Sequence, residues 1–164
     1  MGLKFRYILV KNKTPNYETI IKELNKPHEV NTEVFSKTRS PSTFGYILQE
    51  GVKKIIDKFR ANGGKTSRIN FTDIGFGLGH ALIASSLDSR IHNSYGIELS
   101  KERYNEFNRV KNKYNKELKN ITISLGDFKT YKIPKTDIIY VSNLCFGQEI
   151  QNSLENKVFD EMQD

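Results

Sequence analysis

Short apolar segments alternate with longer amphipathic ones along most of the chain, which has 164 residues. Four apolar segments have the length of β-strands, and turns rich in glycine or polar residues follow them. The predicted strands are 69–74, 95–98, 120–125 and 137–141. Apolar residues at helical spacing predict helices at 17–25, 43–59, 81–87, 101–116 and 148–159. This alternation predicts an α/β fold with a mostly parallel sheet and helices on both faces.

Three of these segments and one near the start carry more specific expectations. Residues 4–10 have the pattern of a strand or of the start of a short helix. Ser42 or Thr43 can cap the helix at 43–59, because both side chains can accept a backbone N–H. The strand at 137–141 is apolar enough to be buried on both faces, as a central parallel strand is. In the last helix, the residues predicted to face inward are Ile150, Leu154, Val158 and Phe159.

A glycine-rich turn joins the first predicted strand to the helix that follows it. Asp73 is one residue before the end of this strand, and Gly75, Gly77 and Gly79 follow at alternate positions. Glycine adopts positive φ readily and lets the backbone lie against a ligand. The next strand ends at Glu98, whose carboxylate can accept both hydroxyls of a ribose. The layout is typical of a nucleoside-binding unit, and the alternative is a βαβ turn that binds no ligand.

The spacing of the glycines distinguishes between two classes of nucleotide site. A dinucleotide fingerprint has the pattern G-x-G-x-x-G, and His80 occupies the position of its third glycine here. The observed pattern, G-x-G-x-G with Phe76 after the first glycine and Asp73 before it, resembles motif I of class I S-adenosylmethionine-dependent methyltransferases. This resemblance implies that the turn, including Phe76, contacts the cofactor.

Polar turns also follow the third and fourth predicted strands. Asp127 and Phe128 come directly after the third strand, where a carboxylate can accept the exocyclic amine of an adenine and an aromatic ring can pack on its face. Ser142, Asn143 and Phe146 follow the fourth strand. Because ligands of doubly wound sheets bind at the carboxyl ends of the strands, we expect these residues next to the reacting methyl group.

Four segments together resemble the disruptor-of-telomeric-silencing family of histone lysine methyltransferases, the non-SET class. They are D-I-G-F-G-L-G-H, Y-G-I-E-L-S, L-G-D-F and I-I-Y-V-S-N-L-C-F-G-Q-E-I. Many class I methyltransferases share the first three, and the fourth carries the signal for this family. The resemblance covers about residues 43–160. It implies a Rossmann-like class I methyltransferase sheet, S-adenosyl-L-methionine as the cofactor and a lysine of a histone or other protein as the methyl acceptor.

The resemblance also implies a role for each matching position. The implied cofactor contacts are Asp73, Gly75, Phe76, Gly77, Gly79, Glu98, Asp127 and Phe128. The implied catalytic residues, which line the channel for the target amine, are Ser142, Asn143 and Phe146. Methyl transfer to lysine needs positioning, a neutral amine and a dry channel more than a strong base. Phe44-Gly45-Tyr46 is a candidate lid, and Tyr46 a candidate wall of the channel.

The sequence departs from the family pattern at three places. Ser142 stands where the family has the first asparagine of a pair, and residues 44–46 match the family only loosely. The class I fold has seven strands, whereas four are predicted after residue 65, so we expect the C-terminal strands to be missing. We interpret the chain as an N-terminal extension at 1–42 with a short helix, followed by an incomplete cofactor-binding domain at 43–164.

Charge and cysteine content bound the environment and the partners. The chain has 26 Lys and Arg and 19 Asp and Glu, which gives a net charge of +7. This charge favours nucleic acid, an acidic protein surface or a nucleosome-like particle, and the alternative is a solvated surface rich in lysine. With Cys145 as the only cysteine and no long apolar segment, we predict an intracellular protein, cytoplasmic or nuclear, that does not contact a membrane.

Other activities remain as alternatives to a protein lysine methyltransferase. One is a class I methyltransferase that acts on RNA or a small molecule, and another is a cofactor-binding domain without catalysis. Asn143-Leu144-Cys145-Phe146 lacks the two prolines of the N-P-P-[YF] motif that nucleic-acid amino-methyltransferases use. We predict no metal site, because the three histidines lack the spacing of metal ligands.

Overall fold

The computed structural model describes residues 15–25, 47–143 and 146–162. These residues form five helices and four strands. The helices are α1 Tyr17–Ile21, α2 Gln49–Ala61, α3 His80–Ser86, α4 Lys101–Lys113 and α5 Gln148–Met162. The strands are β1 Ile69–Ile74, β2 Ile91–Glu98, β3 Ile121–Leu125 and β4 Ile138–Val141. The predicted element at 4–10 and the candidate lid at 44–46 lie outside the described residues.

The four strands form one sheet in the order β3-β2-β1-β4, and all three pairs are parallel. The chain therefore proceeds from β1 outward to β3 and then returns to the other side of β1. The point at which the strand order reverses lies between β1 and β4, where ligands of doubly wound sheets bind. The predicted parallel α/β sheet is confirmed.

Strand β4 differs from the prediction that it is central and buried on both faces. Among the described residues it has one partner, β1, and forms an edge of the sheet. Ile138 is buried, but the next three residues of the strand are half-buried. The prediction was wrong because an apolar segment of four residues does not distinguish a central strand from an edge strand covered on one face by a helix.

Strand β2 begins four residues earlier than predicted, at Ile91. The prediction missed this part because His92, Asn93 and Ser94 interrupt the apolar pattern. Ser94 is nonetheless buried, because its hydroxyl lies 2.8 Å from the hydroxyl of Ser85 in α3. A buried polar residue with a hydrogen-bond partner fits into a strand at little cost.

Helix α2, in contrast, starts later than predicted, at Gln49. Its N-terminal cap residue is Leu48, which makes no capping hydrogen bond with its side chain. The predicted caps Ser42 and Thr43 lie outside the described residues. Helix α4 is shorter than predicted at its other end, with Tyr114 as its C-terminal cap residue. Helix α1 ends at Ile21 rather than at residue 25.

Apolar side chains form two core clusters. The larger one joins β1 to helices α1, α2, α3 and α4, and Phe71 and Phe107 are among its fully buried members. The smaller one packs α5 against the sheet through Leu154 and Val158. Phe159 is 66% exposed, so the prediction that it faces inward was wrong. Leu154 and Val158 lie one helical turn apart and share the face of α5 that packs on the sheet. Phe159 is adjacent to Val158 in the sequence and so lies on another face of the helix.

Helix α1 is part of the larger core. Tyr17 and Ile20 are fully buried in it, and the hydroxyl of Tyr17 donates to the carbonyl of Ile47 over 3.5 Å. The guanidinium of Arg109 in α4 donates to the carbonyl of Glu23, just after α1, over 2.6 Å. The helix predicted within the N-terminal extension is therefore present and packs into the domain. The predicted boundary at residues 42 and 43 lies outside the described residues.

Candidate functional site

The turn after β1 has the backbone conformation that its glycines predict. Gly75, Gly77 and Gly79 have φ values of 77°, 58° and 79°, in the left-handed region that side chains with a Cβ disfavour. The N–H of Gly75 donates to the carbonyl of Ile97 in β2 over 2.8 Å. The turn is therefore fixed against the carboxyl end of β2.

Two of these glycines are surrounded very differently. A Cβ on Gly79 would lie 2.3 Å from the ring of Phe107, so this glycine allows α3 to start in direct contact with α4. A Cβ on Gly75 would meet only Phe146, at 4.0 Å. The phenyl ring of Phe76 lies in the core, with its centroid 5.3 Å from that of Phe107. A cofactor contact of Phe76 would therefore have to come from its backbone, and Gly75 has more space beside it than Gly79.

Glu98 connects the end of β2 to the glycine turn. One carboxylate oxygen accepts the N–H of Gly77 over 2.7 Å, and the other accepts the N–H of Ser100 over 2.8 Å. The residue is only 4% exposed, and burial raises the pKa of its carboxyl, although these hydrogen bonds and the charge of Arg103 oppose the rise. Each carboxylate oxygen has a second lone-pair direction, so both can still accept a ligand hydroxyl.

Asp73 is the second buried acid of the site. It is 2% exposed, and its Oδ1 has no hydrogen-bond partner in the described part of the chain. Burial, together with the negative charge of Glu98, raises the pKa of Asp73 well above its usual value. Buried acceptors in folded proteins almost always have a partner. An acceptor without one, beside a glycine turn, fits a ligand that brings a donor or a positive charge.

Strand pairing places Tyr140 beside Asp73. Asp73 is in register with Gly96 on one side and Tyr140 on the other, and parallel partners share a face of the sheet. Burial and the charge of Asp73 raise the pKa of the Tyr140 hydroxyl. Sequence reasoning treated Tyr140 only as an apolar strand residue. Its position two residues before Ser142 places it on the same side of the strand, which was the available signal.

The turn after β4 lies against the glycine turn. The N–H of Phe146 donates to the carbonyl of Asn143 over 3.0 Å, and the ring of Phe146 packs on the smaller core cluster close to Gly75. Ser142 is exposed, and Asn143 is half-buried. The structure thus brings the predicted channel residues to the edge of the sheet that carries the glycine turn. Cys145 lies outside the described residues.

The turn after β3 adjoins the same edge. The N–H of Gly126 donates to the carbonyl of Glu98 over 2.9 Å, which fixes the turn beside the end of β2. Asp127 accepts the N–H of Lys129 over 2.9 Å, and the half-buried ring of Phe128 packs on the smaller core cluster. The adenine contacts of Asp127 and Phe128 stay predictions, at a place next to Glu98.

The sequence matches one family model over most of its length. The model, described as histone methylation protein DOT1, matches residues 22–164. The chain belongs to this family. The resemblance inferred from the four sequence motifs is confirmed, and the family match supports S-adenosylmethionine as the cofactor of the site.

Two solved structures show the same fold at low sequence identity. Precorrin 8W decarboxylase from Methanobacterium thermoautotrophicum is 21% identical, with a TM-score of 0.55, over 84% of this chain and 63% of its own. A putative RNA methyltransferase from Pyrococcus horikoshii is 14% identical, with a TM-score of 0.51, over 66% of this chain and 51% of its own. This DOT1-family chain thus spans between half and two thirds of their lengths. These likenesses support the Rossmann-like class I fold.

Arg103 is a charged residue of the site that sequence reasoning missed. It is 7% exposed in the first turn of α4, where its N–H donates to the hydroxyl of Ser100 over 3.4 Å, and its positive charge lowers the pKa of Glu98. The helical pattern alone would leave it in solvent. The available signal was its position three residues after the cap residue Ser100, shortly after Glu98 in the sequence.

The remaining predictions for the site concern histidines, metals and membranes. Burial lowers the pKa of His80, the first residue of α3, to about 4, so its ring is neutral at pH 7. No group of three potential metal ligands is found within residues 15–25, 47–143 and 146–162. No helix in the described part of this DOT1-family chain is long and apolar enough to cross a membrane.

Proposed function

We propose that this chain is an S-adenosylmethionine-dependent methyltransferase domain that transfers a methyl group to a lysine side chain of a protein. One observation carries the proposal. Asp73 and Glu98 are two buried acids beside a glycine turn of positive φ, and one acceptor atom of Asp73 has no partner among the described residues. The turn that follows β4 meets the same edge of the sheet, next to Gly75.

The residues of this edge fit the groups of the cofactor. Glu98 offers two oxygens for ribose hydroxyls, and the backbone N–H of Gly77 holds it in place. Asp73 offers an unsatisfied oxygen for an ammonium group or another donor. Asp127 and Phe128 lie beside Glu98 and suit an adenine, since one can accept a hydrogen bond and the other can pack on a ring.

The turn after β4 suits the amine that receives the methyl group. The bound cofactor supplies a methyl group on a sulfonium, which is electrophilic. A lysine attacks such a group only as the neutral amine, so the channel must be apolar enough to disfavour the ammonium. Phe146 gives the channel an apolar wall, and the amide of Asn143 can orient the amine. Ser142 stands at the entrance, where it is exposed.

The family match supports a protein lysine as the acceptor, in a histone or another lysine-bearing protein. The net charge of +7 supports an acidic acceptor or assembly, such as RNA or a nucleosome. The structural relatives leave the acceptor open, because the one from Pyrococcus horikoshii is described as a putative RNA methyltransferase.

The test is transfer of a radioactive methyl group from the cofactor to core histones, nucleosomes, total RNA or a lysine peptide. We expect label in a histone or in the peptide. Asn143→Ala should lower kcat by roughly 10–100-fold, the scale on which misplacement of a reactant slows a reaction. Gln148→Ala is the matched control, because this exposed side chain lies at the start of α5 and donates to Asn152 of the same helix.

Other outcomes decide between the alternatives. Label in RNA with none in protein would replace the lysine acceptor with a nucleic-acid acceptor. No label in any acceptor, from a chain that binds S-adenosylhomocysteine, would leave a cofactor-binding domain without catalysis. Equal activity of Asn143→Ala and the unchanged chain would remove Asn143 from the channel.

A further inference from the structure

Most of the net charge of the chain is concentrated in sixteen consecutive residues. Residues 53–68 contain six of its 26 Lys and Arg and one of its 19 Asp and Glu, which gives this segment +5 of the total +7. The cations, which we call the 53–68 surface, are all exposed. They are Lys53, Lys54, Lys58, Arg60, Lys65 and Arg68.

The 53–68 surface is little neutralised by the residues around it. Its one acid, Asp57, forms an ion pair with Arg90. Lys65 forms an ion pair with Asp137 over 2.8 Å. In the described part of the chain, Lys54, Lys58 and Arg60 have no ion-pair partner within 4.0 Å. Three cations on helix α2 are therefore available for an external anion.

The turn after α2 folds the second half of this surface back toward the helix. The N–H of Gly64 donates to the carbonyl of Phe59 over 3.0 Å, and a Cβ on Gly64 would lie 2.5 Å from the phenyl ring. This close contact fixes the direction of the chain from Lys65 to Arg68. The cations that follow the turn are thus held near the end of α2 that carries Arg60.

Arg68 is held in an unusual conformation. Its φ is +55°, and it is the non-glycine residue with positive φ among the described residues. Its guanidinium lies 3.0 Å from Nε2 of His92 at the start of β2. A glycine would adopt this backbone without strain, and strained residues cluster at functional sites. An arginine at this strained position favours a functional role for its side chain.

Helix electrostatics explain only part of this surface. Lys58 and Arg60 lie in the last turn of α2, where cations interact favourably with the helix dipole. That effect falls off within one turn, so it does not explain Lys54, which lies earlier in the helix, or Arg68, which follows it. It also does not explain why acids are nearly absent from these sixteen residues.

The chemistry of the 53–68 surface fits phosphates better than lipid or protein. The exposed large apolar residues of the described chain are Leu48, Leu125 and Phe159, and none of them belongs to it. Amphipathic segments that bind membranes insert apolar side chains, and stable protein interfaces have an apolar centre. Contacts to nucleic-acid phosphates are made by cations and hydrogen-bond donors and need no apolar centre. We propose that the 53–68 surface binds the phosphate backbone of a nucleic-acid duplex.

This surface is separate from the cofactor site. Arg68 directly precedes β1, and the glycine turn directly follows the same strand. Six residues of β-strand span about 20 Å, so the two sites lie at opposite edges of the sheet. Binding of a duplex at one edge would leave the other edge open for cofactor and acceptor. The proposal therefore stands independently of methyl transfer and is tested without cofactor.

The experiment measures fluorescence anisotropy of labelled DNA and RNA duplexes with the full chain at several salt concentrations. The test variant is Arg60→Glu with Arg68→Glu. The control is Lys101→Glu with Lys129→Glu, which makes the same change in net charge at exposed positions of the opposite edge. We expect the test variant to bind at least about tenfold more weakly at low salt, and its salt slope to fall by about 1 per lost cation.

A second variant separates charge from folding. Arg68→Gly removes one cation and also relieves the positive φ, so it should bind a duplex more weakly while its melting temperature stays equal or rises. Binding of S-adenosylhomocysteine should be unchanged in every variant and shows that the domain is intact. Preference for DNA or for RNA identifies the source of the phosphates.

Four results would overturn the proposal. The first is no binding of either duplex at low salt. The second is equal or greater loss of binding in the control variant, which would move the nucleic-acid surface to the other edge. The third is unchanged binding in Arg60→Glu with Arg68→Glu. The fourth is tighter binding of the 53–68 surface to vesicles with anionic lipid, or to an acidic peptide, than to duplexes at the same salt.

Discussion

The two edges of the sheet differ in where they place their charged groups. The carboxyl edge holds two acids, Asp73 and Glu98, almost completely buried beside the glycine turn. The amino edge begins near Arg68 and Arg90 and carries exposed cations on the 53–68 surface. The strands connect the two edges within a single core. The same sheet therefore offers a dry, shaped site at one edge and an open electrostatic surface at the other.

This difference sets what each edge can recognise. Buried acids have little contact with water. Their pKa values therefore shift, and their acceptor atoms depend on specific hydrogen-bond partners. Exposed cations keep their hydration and attract any polyanion, with strong dependence on salt. Specific binding of one small molecule suits the carboxyl edge, and binding of an extended partner suits the amino edge.

The tightest packing of the carboxyl edge is at Gly79. We expect Gly79→Ala to lower the free energy of unfolding by about 3 kcal/mol, because its Cβ would overlap the fully buried ring of Phe107 in addition to the strain of positive φ. The measurement is urea denaturation.

Gly63→Ala is the control at the amino edge. It has a φ of 86°, like Gly79, but a Cβ there would meet nothing within 4 Å. The loss should be only about 1 kcal/mol, the cost of the backbone conformation alone. Equal losses in the two variants would show that Phe107 is free to move and that the glycine turn is not packed as described.

At the amino edge, the strongest structural charge is Arg90. Its guanidinium forms a two-point contact with Asp88, over 2.8 and 2.6 Å, and also contacts Asp57 in α2. Arg90→Met should lower the free energy of unfolding by about 2 kcal/mol, because bonds between charged groups are among the stronger ones.

The exposed partner of Arg90 provides the comparison. Asp57 is itself 54% exposed, and Asp57→Asn removes only its ion pair with Arg90, so the loss should be below about 1 kcal/mol. The check is thermal denaturation of both variants at one pH. A larger loss for Asp57→Asn than for Arg90→Met would contradict the assignment of the half-buried two-point contact to Asp88.

The acids of the carboxyl edge should make stability fall as pH rises. The pKa of Asp73 is raised in the folded chain from a usual value of 3.8, so the unfolded chain releases its proton first. The folded state is then favoured below pH 4 and loses this advantage as pH rises toward the raised pKa. Besides burial, the group that acts on Asp73 is Glu98, on which the charge of Arg103 acts in turn.

Asp73→Asn tests this sign. The amide cannot ionise, so the variant should be more stable than the unchanged chain at pH 7, on the order of 1 kcal/mol, with a flatter pH profile. It should bind the cofactor more weakly, because a neutral amide attracts an ammonium less. Urea denaturation between pH 4 and pH 8 measures the profile. A steeper fall in Asp73→Asn would reverse the argument.

The smallest effect concerns α5, which covers the sheet near the carboxyl edge. Phe159→Ser should change the free energy of unfolding by less than about 0.5 kcal/mol, because its ring is 66% exposed. Leu154→Ala, one of the buried contacts of the same helix, should cost about 2–3 kcal/mol. Similar effects of the two changes, by thermal denaturation, would show that α5 packs in another orientation.

Most of the fold was predictable because the strands and helices differ in period. The four strands, their parallel pairing and the glycine turn follow from short apolar segments, the helices between them and three alternate glycines. Ser94 and Phe159 show where this reasoning fails. A polar residue is buried once a hydroxyl such as that of Ser85 satisfies it, and an apolar residue stays exposed once its neighbours cover the sheet.

The site was predictable residue by residue but not in its internal contacts. Sequence spacing pointed to Asp73 and Glu98 without showing that Glu98 already holds the N–H of Gly77. Tyr140 and Arg103 were missed because their positions depend on strand register and helix direction, which are set by the tertiary structure. Local patterns determine which residues end each strand, and only the assembled sheet determines which of them meet.

The cofactor site at the carboxyl edge is tested most directly by calorimetric titration of the purified chain with S-adenosylhomocysteine. Gly77→Arg should abolish or strongly weaken binding, because the arginine side chain fills the glycine turn. Glu98→Gln should have the same effect, because it removes the charge that holds the turn. Gly63→Arg, the same substitution in the open turn at the other edge, should bind as the unchanged chain does. Equal binding in Gly77→Arg and Gly63→Arg, or no binding by the folded unchanged chain, would contradict a cofactor site at the carboxyl edge.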